Sequence, residues 1–266
     1  MDVIKRNNVQ VKGRGEQAMV FAHGFGCDQH MWRWIVPAFE EQYRIVLFDH
    51  VGAGQSTLSA YDPIKYDSLQ GYADDILEIC DTLSLKKPIL VGHSVSAIIV
   101  ILAAIKMPHY FDKLILVAPS PCYINQNEYV GGFSRSDIDG LLESMDQNYL
   151  GWSSQMAPVI MSNQEKPQLG EELTNSFCRT DPDIARHFAR VTFLSDYRAV
   201  LPLVSVPTLT LQCSHDVIAP LSVGEYMHQH LPKDTLEILQ TTGHCPHMSA
   251  PQETIEAIKN FLTLNS

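Results

Sequence analysis

At 266 residues and 45% hydrophobic content, the chain is long enough to bury one large core, so a single catalytic-sized domain with room for an insertion is expected. A formal net charge of -11 lacks the Lys and Arg excess that a phosphate backbone demands, which sets nucleic acid aside. The six cysteines, Cys27, Cys80, Cys122, Cys178, Cys213 and Cys245, are widely spaced in a chain too long to need stapling, and read as reduced, mostly buried thiols.

The first eight residues carry neither an apolar stretch nor a small-residue cleavage site, so no secretory signal is visible and a cytoplasmic address is expected. Residues 18–22 form the first short apolar run, closed by His23-Gly24-Phe25-Gly26. Residues 44–48 form the second, followed by Asp49-His50-Val51-Gly52-Ala53-Gly54-Gln55-Ser56. That glycine pattern lacks the third Gly and the distant acidic residue of a dinucleotide loop, so no nucleotide cofactor is expected. In residues 68–83, Leu69, Tyr72, Ala73, Ile76, Ile79, Cys80 and Leu83 recur at the spacing of one helix face. Residues 88–105 approach membrane-span length, but Gly92, His93, Ser94 and Ser96 interrupt them; a buried strand, turn and helix is expected rather than a span. A further strand-like run covers 114–117.

From about residue 120 to 206 the strand signal stops. Gly131-Gly132 and helical patterns at 138–149 and 182–197 replace it, which reads as a helical insertion over the sheet. Strand character returns at 208–212 and, more weakly, at 236–239, and Ile255, Ile258, Phe261 and Leu262 mark a closing amphipathic helix over 253–264. Apolar runs without alternation belong to strands covered on both faces, and their interleaving with helices predicts a doubly wound, mostly parallel α/β sheet. The core is assigned to residues 1–119 and 207–266, the helical insertion to 120–206.

Gly92-His93-Ser94-Val95-Ser96 follows one strand and opens an apolar helix, the setting of a nucleophile elbow. A sharp turn there lifts the Ser94 hydroxyl above the sheet edge and aims the Val95 N–H at a developing oxyanion. The usual pattern ends in Gly, where this chain has Ser96; the competing reading is a serine that merely caps a helix. A hydroxyl needs a base, and the base an orienting acceptor, in the order Ser, Asp, His for this architecture. Asp216 after the 208–212 run and His244 after the 236–239 run satisfy order and strand-end placement together. His247 is the alternative base, set aside because it precedes Met248-Ser249-Ala250-Pro251 and is expected to bind backbone groups. His215 yields to Asp216, since a carboxylate is the better acceptor for an imidazole N–H. His228, His230, His244, Cys245 and His247 lack zinc-site spacing, so no metal is expected. Gly24 and Gly26 permit a tight turn that frees the Phe25 N–H as second oxyanion donor.

These motifs resemble the α/β-hydrolase superfamily over nearly the whole chain and, within it, the branch holding the bacterial stress regulator RsbQ and the plant karrikin and strigolactone receptors. Ser120-Pro121-Cys122-Tyr123, Tyr129 with Gly131-Gly132 and Phe133, Asp181-Pro182-Asp183-Ile184-Ala185 and Gly243-His244-Cys245-Pro246-His247-Met248-Ser249 carry the likeness beyond the catalytic motifs, and Tyr226-Met227-His228-Gln229-His230-Leu231-Pro232 points to the bacterial member. The resemblance implies a four-helix cap, a triad of Ser94, Asp216 and His244, oxyanion donors at Phe25 and Val95, and a pocket lined by Phe25, Tyr123, Phe133, Met156, Phe177 and Phe193. It implies no cofactor. Two functions follow from it: hydrolysis of a small apolar ester or lactone, and a ligand-responsive role in stress signalling with a PAS-domain phosphatase as partner. Peroxidase-like, C–C-bond or lyase chemistry on the same triad is a third course, whereas epoxide hydrolases and dehalogenases need a carboxylate where Ser94 stands.

Overall fold

The computed structural model describes residues 1–264. Its first half runs α1 (Val3–Arg6), β1 (Gln10–Lys12), β2 (Ala18–Ala22), β3 (Arg44–Leu47), α2 (Leu69–Thr82), β4 (Ile89–His93), α3 (Val95–Lys106) and β5 (Lys113–Val117). Four helices follow without a strand: α4 (Arg135–Gln147), α5 (Tyr149–Met161), α6 (Pro167–Arg179) and α7 (Pro182–Phe193). The chain closes with β6 (Thr208–His215), α8 (Leu221–His230), β7 (Asp234–Thr242), α9 (Pro246–Ser249) and α10 (Pro251–Leu264).

The strands form one sheet in the order β1-β3-β2-β4-β5-β6-β7, with β1 antiparallel to β3 and every other neighbour parallel. This is the α/β-hydrolase arrangement expected from the sequence. β2, β4 and β5 are buried along their whole length because both faces are covered. Met19, Phe21, Ile89, Val91, Ile115 and Val117 enter one core, shared with Trp32 and with Leu142, Trp152 and Phe177 of the four-helix segment. Val20, Leu90, Leu114 and Leu116 enter the other, against Ile76 of α2 and Ile101 of α3. Successive side chains therefore serve opposite apolar layers, and no polar alternation survives in the sequence.

The stretch at 88–105 is β4, a turn and α3, and no helix among the described residues is long and apolar enough to cross a membrane. All six cysteines are unpaired and five are buried, Cys178 being half-buried. One strand went unread in the sequence and two helix bounds are corrected. The edge strand β1 has no apolar signature, since Gln10, Val11 and Lys12 are all exposed. The helix expected over 138–149 starts earlier, under a capping box formed by Ser134 and Asp137, and stops at Gln147, because Asn148 turns to cap α5 through the Gly151 N–H. The one expected over 182–197 ends at Phe193, and Tyr197 instead donates its N–H to Pro121 O at 2.8 Å.

Topology fixes where a ligand can sit. From β2 the chain moves to β3 on one side, then returns to place β4 on the other. The loops leaving β2 and β4 diverge at the carboxyl edge and open a crevice between them.

Candidate active site

Ser94 stands at that crevice, between the end of β4 and the first turn of α3, with φ 55° and ψ -122°. An L-residue held there stores about 1–3 kcal/mol of strain, so its surroundings must over-determine it. They do: Ser94 N–H donates to Val117 O at 2.8 Å, and Ser94 O accepts from Ala97 N at 2.9 Å. Gly92 permits the tight strand-to-helix passage, since a Cβ on it would lie 2.4 Å from Ser96 O.

His244 Nε2 lies 2.7 Å from Ser94 Oγ, and its Nδ1 lies 2.7 Å from Asp216 Oδ2. All three residues are buried. The other oxygen of Asp216 accepts the N–H groups of Ile218 and Ala219 at 2.8 and 3.2 Å, so the carboxylate is fixed in orientation and aimed at the imidazole. That assigns the Nδ1–H tautomer to His244 and leaves Nε2 as acceptor for the serine proton. The backbone of His244 is pinned on both sides: its N–H donates to Ile160 O on α5 at 3.0 Å, and its carbonyl accepts from His93 Nε2 at 2.8 Å. Gly243, at φ 97°, passes so close to α5 that a Cβ there would lie 1.9 Å from Met161 O.

Ser96, the departure from the usual glycine, is explained by a buried hydrogen-bond ring. Its hydroxyl donates to His23 O at 2.5 Å and accepts from His50 Nε2 at 2.8 Å. The His50 N–H donates to His23 Nε2 at 3.1 Å, and His23 Nδ1 then donates to Gly24 O at 2.9 Å. The ring ties together the loops after β2 and β3 and the start of α3. Burial pushes the His50 pKa well below 6.5, the neighbouring His23 adding to the effect, so the ring holds a neutral imidazole.

The same bonds orient the two amides expected to face an oxyanion. Gly24 O is turned toward the His23 ring and toward Cys27 N (3.3 Å), and in a trans peptide the Phe25 N–H points the opposite way. Ser94 O is engaged along α3, so the Val95 N–H points back past the helix start, where a helix leaves its first donors free. Gly24 is required for this approach: a Cβ would come within 2.5 Å of His93 Nδ1 and 3.4 Å of Ser94 Cβ.

Above Ser94 lies an apolar cavity of about 30 Å³, room for one or two water molecules. Of the side chains expected to line it, Phe25, Tyr123, Phe177 and Phe193 do so; Phe133 and Met156 do not. Phe133 is held by a short backbone bridge to Ile124, ahead of α4, and Met156 is half-buried among helix contacts, one turn short of the α5 residue that does reach the cavity, Ile160. Cys27, Leu173, Thr192, Ile218 and Cys245 complete the wall without having been singled out from the sequence. Phe25 sits 5.7 Å from Phe177 and 6.0 Å from Phe193, ring centre to ring centre, and Trp152 stacks on Phe177 at 5.6 Å. Burial pushes the Tyr123 phenol up to about 12, so beside Ser94 it remains a proton donor. A larger open groove of about 900 Å³ lies between α5 and α6 but includes none of Ser94, Asp216 and His244.

His247 is not placed as expected. It lies on α9 with both ring nitrogens unpartnered, bonding no backbone group, and its ring packs 4.5 Å from those of Trp32 and His93. Burial, with His244 nearby, pushes its pKa down to about 3. His93, Cys245 and His247 bring potential ligand atoms within 4.8 Å of one another. His93 Nε2 is already committed to His244 O, and its Nδ1 abuts Gly24, so two free donors remain where a structural zinc takes four. His228 pairs with Asp234 and His230 bonds Tyr226 O, both away from this cluster.

Comparison with known proteins bears on the family and the fold. A model of the alpha/beta hydrolase family matches residues 19–257. Karrikin insensitive 2 receptor IA of Petunia hybrida is 40% identical over 96% of this chain and 93% of its own. Strigolactone esterase RMS3 of Pisum sativum is 39% identical over 92% of each. The solved structure of a hydrolase from Oleispira antarctica superposes with a TM-score of 0.96 at 42% identity, covering 98% of this chain and 96% of that one.

Proposed function

The chain belongs to the alpha/beta hydrolase family, and from that premise we propose that it is a serine hydrolase that cleaves a small, largely apolar ester or lactone. The observation that carries the reading is the series Ser94, His244 and Asp216, hydrogen-bonded at 2.7 Å and 2.7 Å beneath an apolar cavity. In this reaction Ser94 Oγ attacks the substrate carbonyl while its proton passes to His244 Nε2. Asp216 holds the resulting imidazolium, and the Phe25 and Val95 amides receive the oxyanion. Collapse breaks the ester bond, the leaving oxygen takes the proton from His244, and water repeats the cycle to free the acid. Neutral, dry walls strengthen each of these polar contacts.

A fluorophosphonate probe tests the proposal. It should label the wild-type protein at Ser94 and leave Ser94→Ala unlabelled; equal labelling of both would sink it.

A second reading, a ligand-responsive signalling protein with slow turnover, is favoured by the way α5, α6 and α7 close over Ser94 and by the receptor and esterase names of relatives near 40% identity. An RsbQ-like role in stress signalling, with a PAS-domain phosphatase as partner, belongs to this reading. It requires that a bound ligand change partner capture in a pull-down; capture indifferent to ligand would remove it.

A further inference from the structure

We propose that Thr192 is a specificity-determining residue of the Ser94 cavity, and that the substrate carries, besides its scissile carbonyl, a second oxygen that accepts a hydrogen bond from the Thr192 hydroxyl. The inference rests on the hydrolase reading above and narrows its substrate class to esters or lactones with an additional carbonyl or ether oxygen.

Thr192 lies on α7, is 1% exposed, and lines the cavity beside Tyr123, Phe193 and Ile218. Its Oγ1 has no hydrogen-bond partner. Hydroxyls on helices ordinarily avoid that state by bonding the carbonyl four residues back. Ser153 does so to Tyr149 at 2.8 Å, Thr174 to Gly170 at 2.9 Å and Thr254 to Ala250 at 3.0 Å. Thr192 departs from the habit. Its carbonyl is used, accepting from Ser195 Oγ at 2.8 Å, while its hydroxyl is left buried and unpartnered on a residue that lines the cavity.

A buried, unbonded hydroxyl bears a desolvation penalty that an incoming acceptor removes. Valine would fill the same volume without that penalty. The gain from threonine therefore appears when a ligand is bound. Thr192 belongs to the four-helix segment and Ser94 to the sheet edge, so the second oxygen is contacted from the wall facing the reacting carbonyl. Discrimination of this kind is strong because the analogue lacking the oxygen leaves the protein group unpaired.

The test uses two ester series in which an ether oxygen is walked along the acyl chain or along the alcohol chain, each member set against its methylene counterpart. Wild type, Thr192→Val and Thr192→Ser are compared in kcat/KM, with thermal melting to establish that all three fold. Intrinsic reactivity of each ester cancels between enzymes. At one position of the oxygen, wild type and Thr192→Ser should prefer the ether by about tenfold more than Thr192→Val does, the scale of one neutral hydrogen bond. If the preference of Thr192→Val equals that of wild type at every position, the proposal is overturned. Should no ester be hydrolysed, the hydrolase reading fails by itself, and the same comparison is made by calorimetric binding of both series to wild type and Thr192→Val. There, too, an unchanged preference rejects the role of Thr192.

Discussion

Mild acid should destabilise this protein through imidazoles that take no part in bond cleavage. His50, His93 and His247 are fully buried, and desolvation holds each pKa below the ordinary 6.5, that of His247 at about 3. In the unfolded chain each takes up a proton near pH 6.5, while the folded chain binds none. Stability is therefore complete above that pH and falls below it, as the unfolded state gains protons that the folded state refuses. At pH 5 the His247 site costs about 2 kcal/mol, and burial of His50 and His93 acts in the same direction. Even that one site is a sizeable part of the stability of a typical domain, about 5–15 kcal/mol. Urea unfolding at constant temperature between pH 7.5 and 5 reads this, mostly above the range where ordinary carboxylates titrate. The slope should exceed one proton, about 1.4 kcal/mol per pH unit, at the acid end. His247→Leu should take one proton from that slope, and because neither ring nitrogen has a partner, leucine abandons no hydrogen bond. A wild-type slope below one proton, or an unchanged slope in His247→Leu, would refute the reasoning.

Other perturbations separate the parts of the site. Asp216→Asn presents the wrong hydrogen-bonding partner to His244 Nδ1 and should lower kcat by about 10⁴-fold with the fold intact, checked by steady-state kinetics and circular dichroism. Ser96→Gly restores the usual elbow residue but strands the His50 Nε2–H and His23 O. It should lose about 1–3 kcal/mol in urea unfolding and lower kcat more than it changes KM; a more stable variant would show that the ring is not needed. Gly26→Ala places a Cβ 2.3 Å from the Phe177 ring at a backbone φ of 68°. It should cost more than about 1 kcal/mol and raise KM by displacing a cavity wall, whereas an unchanged KM would separate Phe177 from substrate binding.

What could be read in advance follows from where the information lies. Ser94 was legible because it sits just beyond β4, a buried strand whose apolar run is continuous in the sequence, whereas Asp216 and His244 were legible from chain order and strand-end position, since β6 alternates Thr with Leu and β7 is largely exposed; the parallel sheet brings all three ends to one edge. The long apolar stretch was equally legible as β4, turn and α3, since a glycine and a polar cluster break it in the middle. The cavity wall was less so. Phe177 and Ile160 reach Ser94 through the packing angles of α5 and α6, and nothing local distinguishes Ile160 from Met156 on the same helix. His247 misled for a different reason: a histidine beside the active loop suggests a polar role, but its surroundings are Trp32 and His93, and burial keeps it neutral and unbonded. β1 escaped because edge pairing uses backbone groups and leaves its three side chains in solvent.

The hydrogen bond from His244 N–H to Ile160 O has a mechanical consequence. The cavity has room for only one or two waters, so a substrate needs its walls, Ile160 among them, to draw back. Withdrawal of α5 removes the carbonyl that anchors His244 and lifts Met161 from its seat on Gly243. Admission and catalysis would thereby be interlocked: a helix drawn back to admit substrate would loosen the base, and its return would set the base again.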